Sequence, residues 1–145
     1  MYFIKLNSKI YNLKASIMKN ELIFNSDLHF EHNQWRRELF FWEDELKSFQ
    51  NRLEELVKRW TKKEMLVQLE HYQNQFILQD DVINTLQDDI HIHEISIAAA
   101  SKNGKDLLDT TLVKKHIEFR NRMEVQRHIY RDLKKEFFKF LTKYM

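Results

Sequence analysis

Apolar residues recur at alternating steps of four and three over most of this sequence, and such spacing is typical of helices that bury one face against neighbouring helices. The first run of these residues covers residues 28–60, the second residues 65–100 and the third residues 112–144. Each run is long enough to form a single helix. We therefore predict an all-α protein in which each run supplies the buried face of one long helix, which we call its seam.

The breaks between the runs predict two reversals of chain direction. The first run loses its phase after Trp60, because the next seam residue, Met65, lies five positions further on. The only glycine, Gly104, lies between the second and third runs, and the chain has no proline. We therefore predict an up-down-up bundle of three long antiparallel helices at about residues 27–60, 62–100 and 110–144. Because neither proline nor glycine lies near Trp60, an alternative is that the first two helices fuse into a rod that pairs in a dimer.

Residues with capping preferences mark the expected helix starts. Ser26 is a suitable N-cap for the first helix, with Asp27 placing an acid in its first turn. Thr61 and Glu64 have the spacing of a capping box at the start of the second helix. Asp109 is a suitable N-cap for the third helix.

Residues 1–25 are predicted to form an N-terminal extension that precedes a bundle domain of residues 26–145. The pattern of the extension fits both a short helix and strands at YFIKL and ELIF. We expect the extension to cover apolar residues that lie off the seams. If they are left uncovered, such residues form a patch of the kind that marks a partner surface or a homodimer face. Examples are Phe40, Phe41, Ile117 and Phe138.

The net charge of +2 hides a separation of charge along the chain. Residues 61–100 carry two basic and seven acidic side chains, a net charge of −5, whereas residues 101–145 carry a net charge of +6. Complementary charges of this kind favour pairing of the second and third helices. The basic residues of the third helix are interleaved with acids and no nucleic-acid-binding motif accompanies them, so we do not expect nucleic-acid binding.

The composition excludes several classes of protein. Without cysteine there is no thiolate metal ligand and no thiol nucleophile. A single glycine cannot build a glycine-rich phosphate loop. No apolar run approaches the roughly 20 residues of a membrane span, so we expect no membrane insertion and a cytoplasmic location. No motif names a reaction, and we do not expect an enzyme.

Three of the seven histidines occupy seam positions, one on each helix. Antiparallel pairing through a short turn after Trp60 places His32 opposite His93, and the second turn places His93 level with His116. We therefore predict one layer that contains all three imidazoles. Three histidine nitrogens with a water or a carboxylate are a common arrangement around zinc or iron.

Carboxylates lie next to the predicted histidine layer. Glu94 follows His93 and Glu31 precedes His32, so either one is a candidate ligand in a zinc or iron site. Asp89 lies one helical turn before His93 and is expected to accept its ring N–H. His29, beside the seam, is expected to cap or pair near the first turn. The alternative is a structural layer in which the histidines are hydrated or hydrogen-bonded and hold no metal.

Three further polar seam residues, Gln79, Gln126 and Tyr130, are predicted to form one buried hydrogen-bond network that fixes the helix register. The sequence then leaves two functions open. The first is a non-catalytic helical bundle that acts by association, either as a homodimer or with a helical protein partner. The alternative is a metal-binding bundle that uses His32 and its two partners in the layer.

Overall fold

The computed structural model describes residues 21–102 and 110–144, and these residues form three helices. Helix α1 comprises Glu21–Arg59, helix α2 comprises Lys63–Lys102 and helix α3 comprises Thr110–Tyr144. No strand occurs in the described ranges, and the prediction of an all-α three-helix bundle is confirmed. None of these three helices is long and apolar enough to cross a membrane.

The predicted seams are the buried faces of the helices. Along α1 every seam residue from Leu28 to Leu56 is buried. In α3, Val113 takes the place of Leu112 as the first buried apolar residue. Burial stabilises each large apolar side chain by about 1.5–3 kcal/mol, so the four-three pattern accounts for where the helices pack. The seams also bury polar side chains: His32, Gln79, His93, His116 and Gln126.

The chain reverses between α1 and α2, which excludes the fused rod. Helix α1 ends at Arg59, and the amide of Trp60 donates the last bond of this turn to the carbonyl of Leu56 at 3.0 Å. At the start of α2 the amides of Met65 and Leu66 both donate to the carbonyl of Lys62, each at 3.1 Å. Lys62 therefore occupies the N-cap, one residue after the Thr61 that was predicted for that position.

Helix α1 begins earlier than predicted. It includes the ELIF segment from Glu21 onward, so this segment is helical and Ser26 lies inside the helix rather than at its cap. Packing of the long seam that follows outweighs the local preference of serine for a cap position. The predictions for residues 1–20 and for the Asp109 cap lie outside the described residues.

The chain divides into two compact units, each built from parts of the three helices. Unit one consists of Met1–Gln34 and Ile90–Phe119, and unit two consists of Trp35–Asp89 and Arg120–Met145. The predicted histidine layer belongs entirely to unit one, whereas the predicted glutamine network belongs to unit two.

The described part of unit one has a small apolar core. Leu28, Ile97 and Val113 form a buried cluster, one residue from each helix, and the partly buried Leu112 and Ile117 pack against it. Each of the three buried residues lies about one helical turn from a seam histidine of the same helix. The cluster therefore lies about one helical turn from the histidine layer along each helix.

Unit two has an aromatic core. The rings of Phe49, Phe76 and Phe137 contact one another with centroid distances of 5.6, 5.3 and 4.9 Å, within the range of favourable aromatic pairs. Two aromatic residues off the seam, Phe40 and Phe41, are 62% and 59% exposed.

Candidate metal centre

The three seam histidines meet in unit one. His32 of α1, His93 of α2 and His116 of α3 are buried, and one ring nitrogen of each lies within 4.8 Å of the other two. The Nε2 atom of His32 lies 3.1 Å from Nδ1 of His116 and 3.2 Å from Nδ1 of His93. These three atoms, which we call the inner nitrogens, come from three helices and face one another.

The opposite nitrogen of each ring faces a hydrogen-bond acceptor. His93 Nε2 lies 3.0 Å from the carbonyl oxygen of Leu112, and His116 Nε2 lies 2.9 Å from Oε1 of Glu31. His32 Nδ1 contacts Oε2 of Glu94. A carbonyl or carboxylate oxygen accepts, so all three outer nitrogens donate an N–H.

These outer contacts determine the tautomer of each ring. A neutral imidazole carries one N–H and one lone pair, and the N–H of each ring is already placed on its outer nitrogen. The lone pairs of neutral His32, His93 and His116 are therefore directed toward the same space. Histidines that bind metal ions show the same arrangement, in which the second ring nitrogen donates to a carboxylate or a backbone carbonyl.

The exposed His29 extends this network toward the surface. The second carboxylate oxygen of Glu94, Oε1, accepts from His29 Nδ1. The amide nitrogen of Asn33 lies 3.3 Å from His29 Nε2, which places an acceptor lone pair on that nitrogen. Glu94 thus binds two α1 histidines that lie one turn apart on the same face. The sequence placed His29 near a partner, but the identity of that partner required the structure.

Burial and hydrogen bonds shift the titration of this cluster. Burial lowers the pKa of His93 below its ordinary value, although the hydrogen bond to Leu112 opposes the shift. Burial acts to raise the pKa of the Glu94 carboxyl, but the hydrogen bonds from His32 and His29 outweigh burial and hold this pKa below its ordinary value. At neutral pH, His93 is therefore a neutral ring and Glu94 an ionised acceptor.

The predicted carboxylates do not all lie where the sequence suggested. Glu31 and Glu94 contact outer nitrogens of the layer, not the space between the inner nitrogens. The prediction that Asp89 accepts from His93 is wrong: Asp89 accepts from Arg122 at 2.9 Å, and His93 donates to the Leu112 carbonyl. A backbone carbonyl has no signature in the sequence, so the pattern could not reveal it.

The predicted glutamine network is smaller than expected. Gln126 Nε2 donates to Gln79 Oε1, and both side chains are buried. Tyr130 lies outside this pair, because its hydroxyl donates to Oε1 of Glu45 at 2.9 Å. Burial, assisted by Glu45, raises the pKa of Tyr130 above its ordinary value, so the hydroxyl stays protonated as a donor.

Two of the three separations between inner nitrogens are close to those of a metal-bound set. Two ligand nitrogens on tetrahedral zinc, each about 2.0–2.1 Å from the ion, lie about 3.3 Å apart. Both contacts of His32 Nε2, at 3.1 and 3.2 Å, are near this value. The rings also lie against apolar neighbours, with the Phe119 ring 5.2 Å from that of His93.

Fold and site together define a three-helix bundle with a buried cluster of three histidines, one from each helix. Comparisons with protein-family models, curated proteins and solved structures found no match.

Proposed function

We propose that this protein binds a transition-metal ion, such as zinc or iron, through His32 Nε2, His93 Nδ1 and His116 Nδ1. The observation that carries the proposal is the occupation of all three outer nitrogens by acceptors, which directs all three inner lone pairs to one place. Three imidazole nitrogens suit zinc and iron, and a fourth ligand completes a tetrahedral shell.

A structural layer held by hydrogen bonds alone, without a metal ion, requires one of the three rings to be charged. A bond between two inner nitrogens needs a proton on one of them, and that ring then carries N–H groups on both sides and a positive charge. Burial, which lowers the pKa of His93, opposes such a charge on that ring. A metal ion supplies the positive charge while every ring stays neutral.

Elemental analysis of protein purified without a polyhistidine tag tests the proposal. We expect one transition-metal ion per chain after reconstitution, and loss of that ion in His93→Gln. His91, two residues away on α2, is exposed, so His91→Gln is the matched control and should retain the metal. Metal-free wild type, or full occupancy in a helical His93→Gln variant, would contradict the proposal.

Association with a second copy of the chain is a second candidate function. Arg131, Lys135 and Lys139 lie at steps of four along α3, and among the described residues they form no ion pair. They flank Phe138, which is 45% exposed. On α2, Asp80, Asp81 and Asp88 likewise have no ion-pair partner in the described ranges. We call these three residues the acidic row. Two copies related by a twofold axis place each basic row against the partner's acidic row.

Sedimentation velocity at low and high salt tests this second candidate. We expect a dimer at about 0.05 M salt that dissociates at about 0.5 M, because screening weakens contacts between exposed charges. The double variant Lys135→Glu/Lys139→Glu should be monomeric at both salt concentrations. Lys114→Glu changes an exposed lysine of α3 outside this row and should leave the dimer intact. A wild-type monomer at low salt would exclude the candidate.

A further inference from the structure

We propose that the exposed His29 is a positioning residue for the metal site. Through Glu94 it keeps the proton of His32 on Nδ1, so that the lone pair of His32 Nε2 is directed toward the ion. The inference rests on the proposed metal binding and goes beyond it by giving a role to a histidine that does not itself bind the ion. It starts from a continuous series of contacts, in which His29 Nδ1 contacts Oε1 of Glu94 and Oε2 of Glu94 contacts Nδ1 of His32.

The side chains of this series lie at increasing depth. The side chain of His29 is 59% exposed and that of Glu94 is 21% exposed, whereas that of His32 is fully buried. All of them belong to unit one. Because residues three apart lie on the same face of a helix, both α1 histidines can contact the one carboxylate of α2. An exposed residue therefore acts on a buried ring through a single side chain.

The contact with His29 holds the Glu94 carboxylate in place. A glutamate side chain has several rotatable bonds, and it loses this freedom when it is fixed in one position. His29 donates to Oε1 and thereby keeps Oε2 directed toward His32. Asn33, one turn further along α1, donates to Nε2 of His29 at 3.3 Å, so the N–H of the His29 ring lies on the nitrogen that faces Glu94.

The position of the His32 proton determines whether an ion can bind. The lone pair of a neutral imidazole lies on the nitrogen that carries no proton. His32 Nε2 lies 3.1 Å from Nδ1 of His116 and 3.2 Å from Nδ1 of His93. A proton on His32 Nε2 would therefore form a hydrogen bond in the space that an ion needs. Glu94 opposes this tautomer, because its carboxylate can accept only from a protonated Nδ1.

Substitution of His29 separates this orienting role from the charge of Glu94. Burial sets the direction of the pKa shift of His93, but the charges of Glu94 and Lys115 act on it as well, in opposite directions. Removal of the carboxylate therefore changes more than the position of one proton. His29→Ala leaves both of these charges in place and removes the contact to Oε1. His29→Asn keeps an N–H close to the position of Nδ1 and is the conservative variant.

The first measurement is the Zn²⁺ affinity, determined by competition with a chromophoric chelator. We expect His29→Ala to lower the affinity about tenfold, the lower end of the effect of losing such an outer partner. His29→Asn should retain most of the wild-type affinity. In a Glu94→Gln background His29→Ala should cause no further loss, because residues that act through one shared contact are not additive. His91→Ala changes an exposed histidine of the same unit and should keep the wild-type affinity.

The second measurement locates the proton directly. Nitrogen–proton correlation spectra of the metal-free protein distinguish a protonated Nδ1 from a protonated Nε2 in each imidazole. We expect His32 to be protonated at Nδ1 in the wild type and to shift toward Nε2 in His29→Ala, while His93 stays protonated at Nε2. A merely structural role of His29 would not change the tautomer of one ring alone.

Additive losses in the Glu94→Gln background would show that His29 acts independently of Glu94 and would overturn the inference. An unchanged affinity in His29→Ala, or a His32 proton that stays on Nδ1 in that variant, would overturn it as well. A wild type that binds no transition-metal ion would instead refute the metal-binding function. The spectra need no metal, so they would then decide on their own whether His29 positions the His32 proton.

Discussion

At the scale of single residues, the outer nitrogens of the three seam histidines donate to three different acceptors, which are Glu94, the Leu112 carbonyl and Glu31. A four-three pattern specifies which face of a helix a residue occupies, so His32, His93 and His116 were identifiable as seam residues. The pattern does not specify the side-chain rotamer, nor which neighbouring helix the carboxylate of a glutamate side chain contacts. Glu94 therefore contacts α1, and Asp89, on the same helix as His93, does not serve that histidine.

The buried neutral state of His93 predicts a pH dependence of the metal-free protein. Its folded-state pKa lies below the ordinary value of 6.5, so the unfolded chain binds more protons as pH falls through that value. The stabilisation is fully present above the unfolded pKa and is lost as pH falls toward the folded pKa. We expect the melting temperature in a chelator-containing buffer to fall between about pH 7.5 and pH 5.5.

Titration of Glu94 does not contribute to the change in melting temperature between about pH 7.5 and pH 5.5. Its folded-state pKa is below 4.5, so the stabilisation that it contributes is lost only at more acidic pH. The exposed His91 provides the control, because His91→Gln should keep the wild-type pH profile. A melting temperature that stays constant from pH 7.5 to pH 5.5 would contradict the burial of a neutral His93.

At the scale of helices, the seams were predictable and the helix ends were less so. Burial of six to eight apolar side chains along each helix determines where the helix packs, and the summed stabilisation outweighs local preferences. Caps contribute only about 1 kcal/mol each, so the preferences of Ser26 and Thr61 were overridden. The seam positions also predicted that Gln79 and Gln126 face each other. Because Gln79 lies on α2 and Gln126 on α3, substitution of these two residues tests the pairing of the two helices.

The glutamine pair should behave as a register device in unit two. Gln126→Leu leaves the buried amide of Gln79 without its partner, and we expect a loss of about 1–3 kcal/mol in the free energy of unfolding. The double variant Gln79→Leu/Gln126→Leu removes both polar groups and should recover most of this loss. Urea unfolding of the single and double variants measures the coupling between the two residues. Additive losses would show that the glutamines act independently.

At the scale of the whole molecule, the histidines and the glutamines belong to different compact units, although each helix contributes to both. No sequence feature marks this division, because the four-three pattern continues through residues 34–35 and 89–90 without a break. The two units are defined by the contacts between residues and not by a break in the four-three pattern. A ligand bound by one unit therefore provides a way to ask whether the two units open separately.

Metal binding should protect unit one from hydrogen exchange more than unit two. A ligand that binds only the folded state stabilises that state by about 2.7 kcal/mol when its concentration is a hundred times Kd. The same free energy is added to every local unfolding reaction that disrupts the binding site. We expect zinc to slow amide exchange in the peptides that carry the three histidines, with a smaller effect on peptides from the aromatic core around Phe76. His93→Gln should abolish the protection and His91→Gln should preserve it. Equal slowing throughout the described helices would mean instead that the chain opens as one cooperative body, and that the metal stabilises all of it.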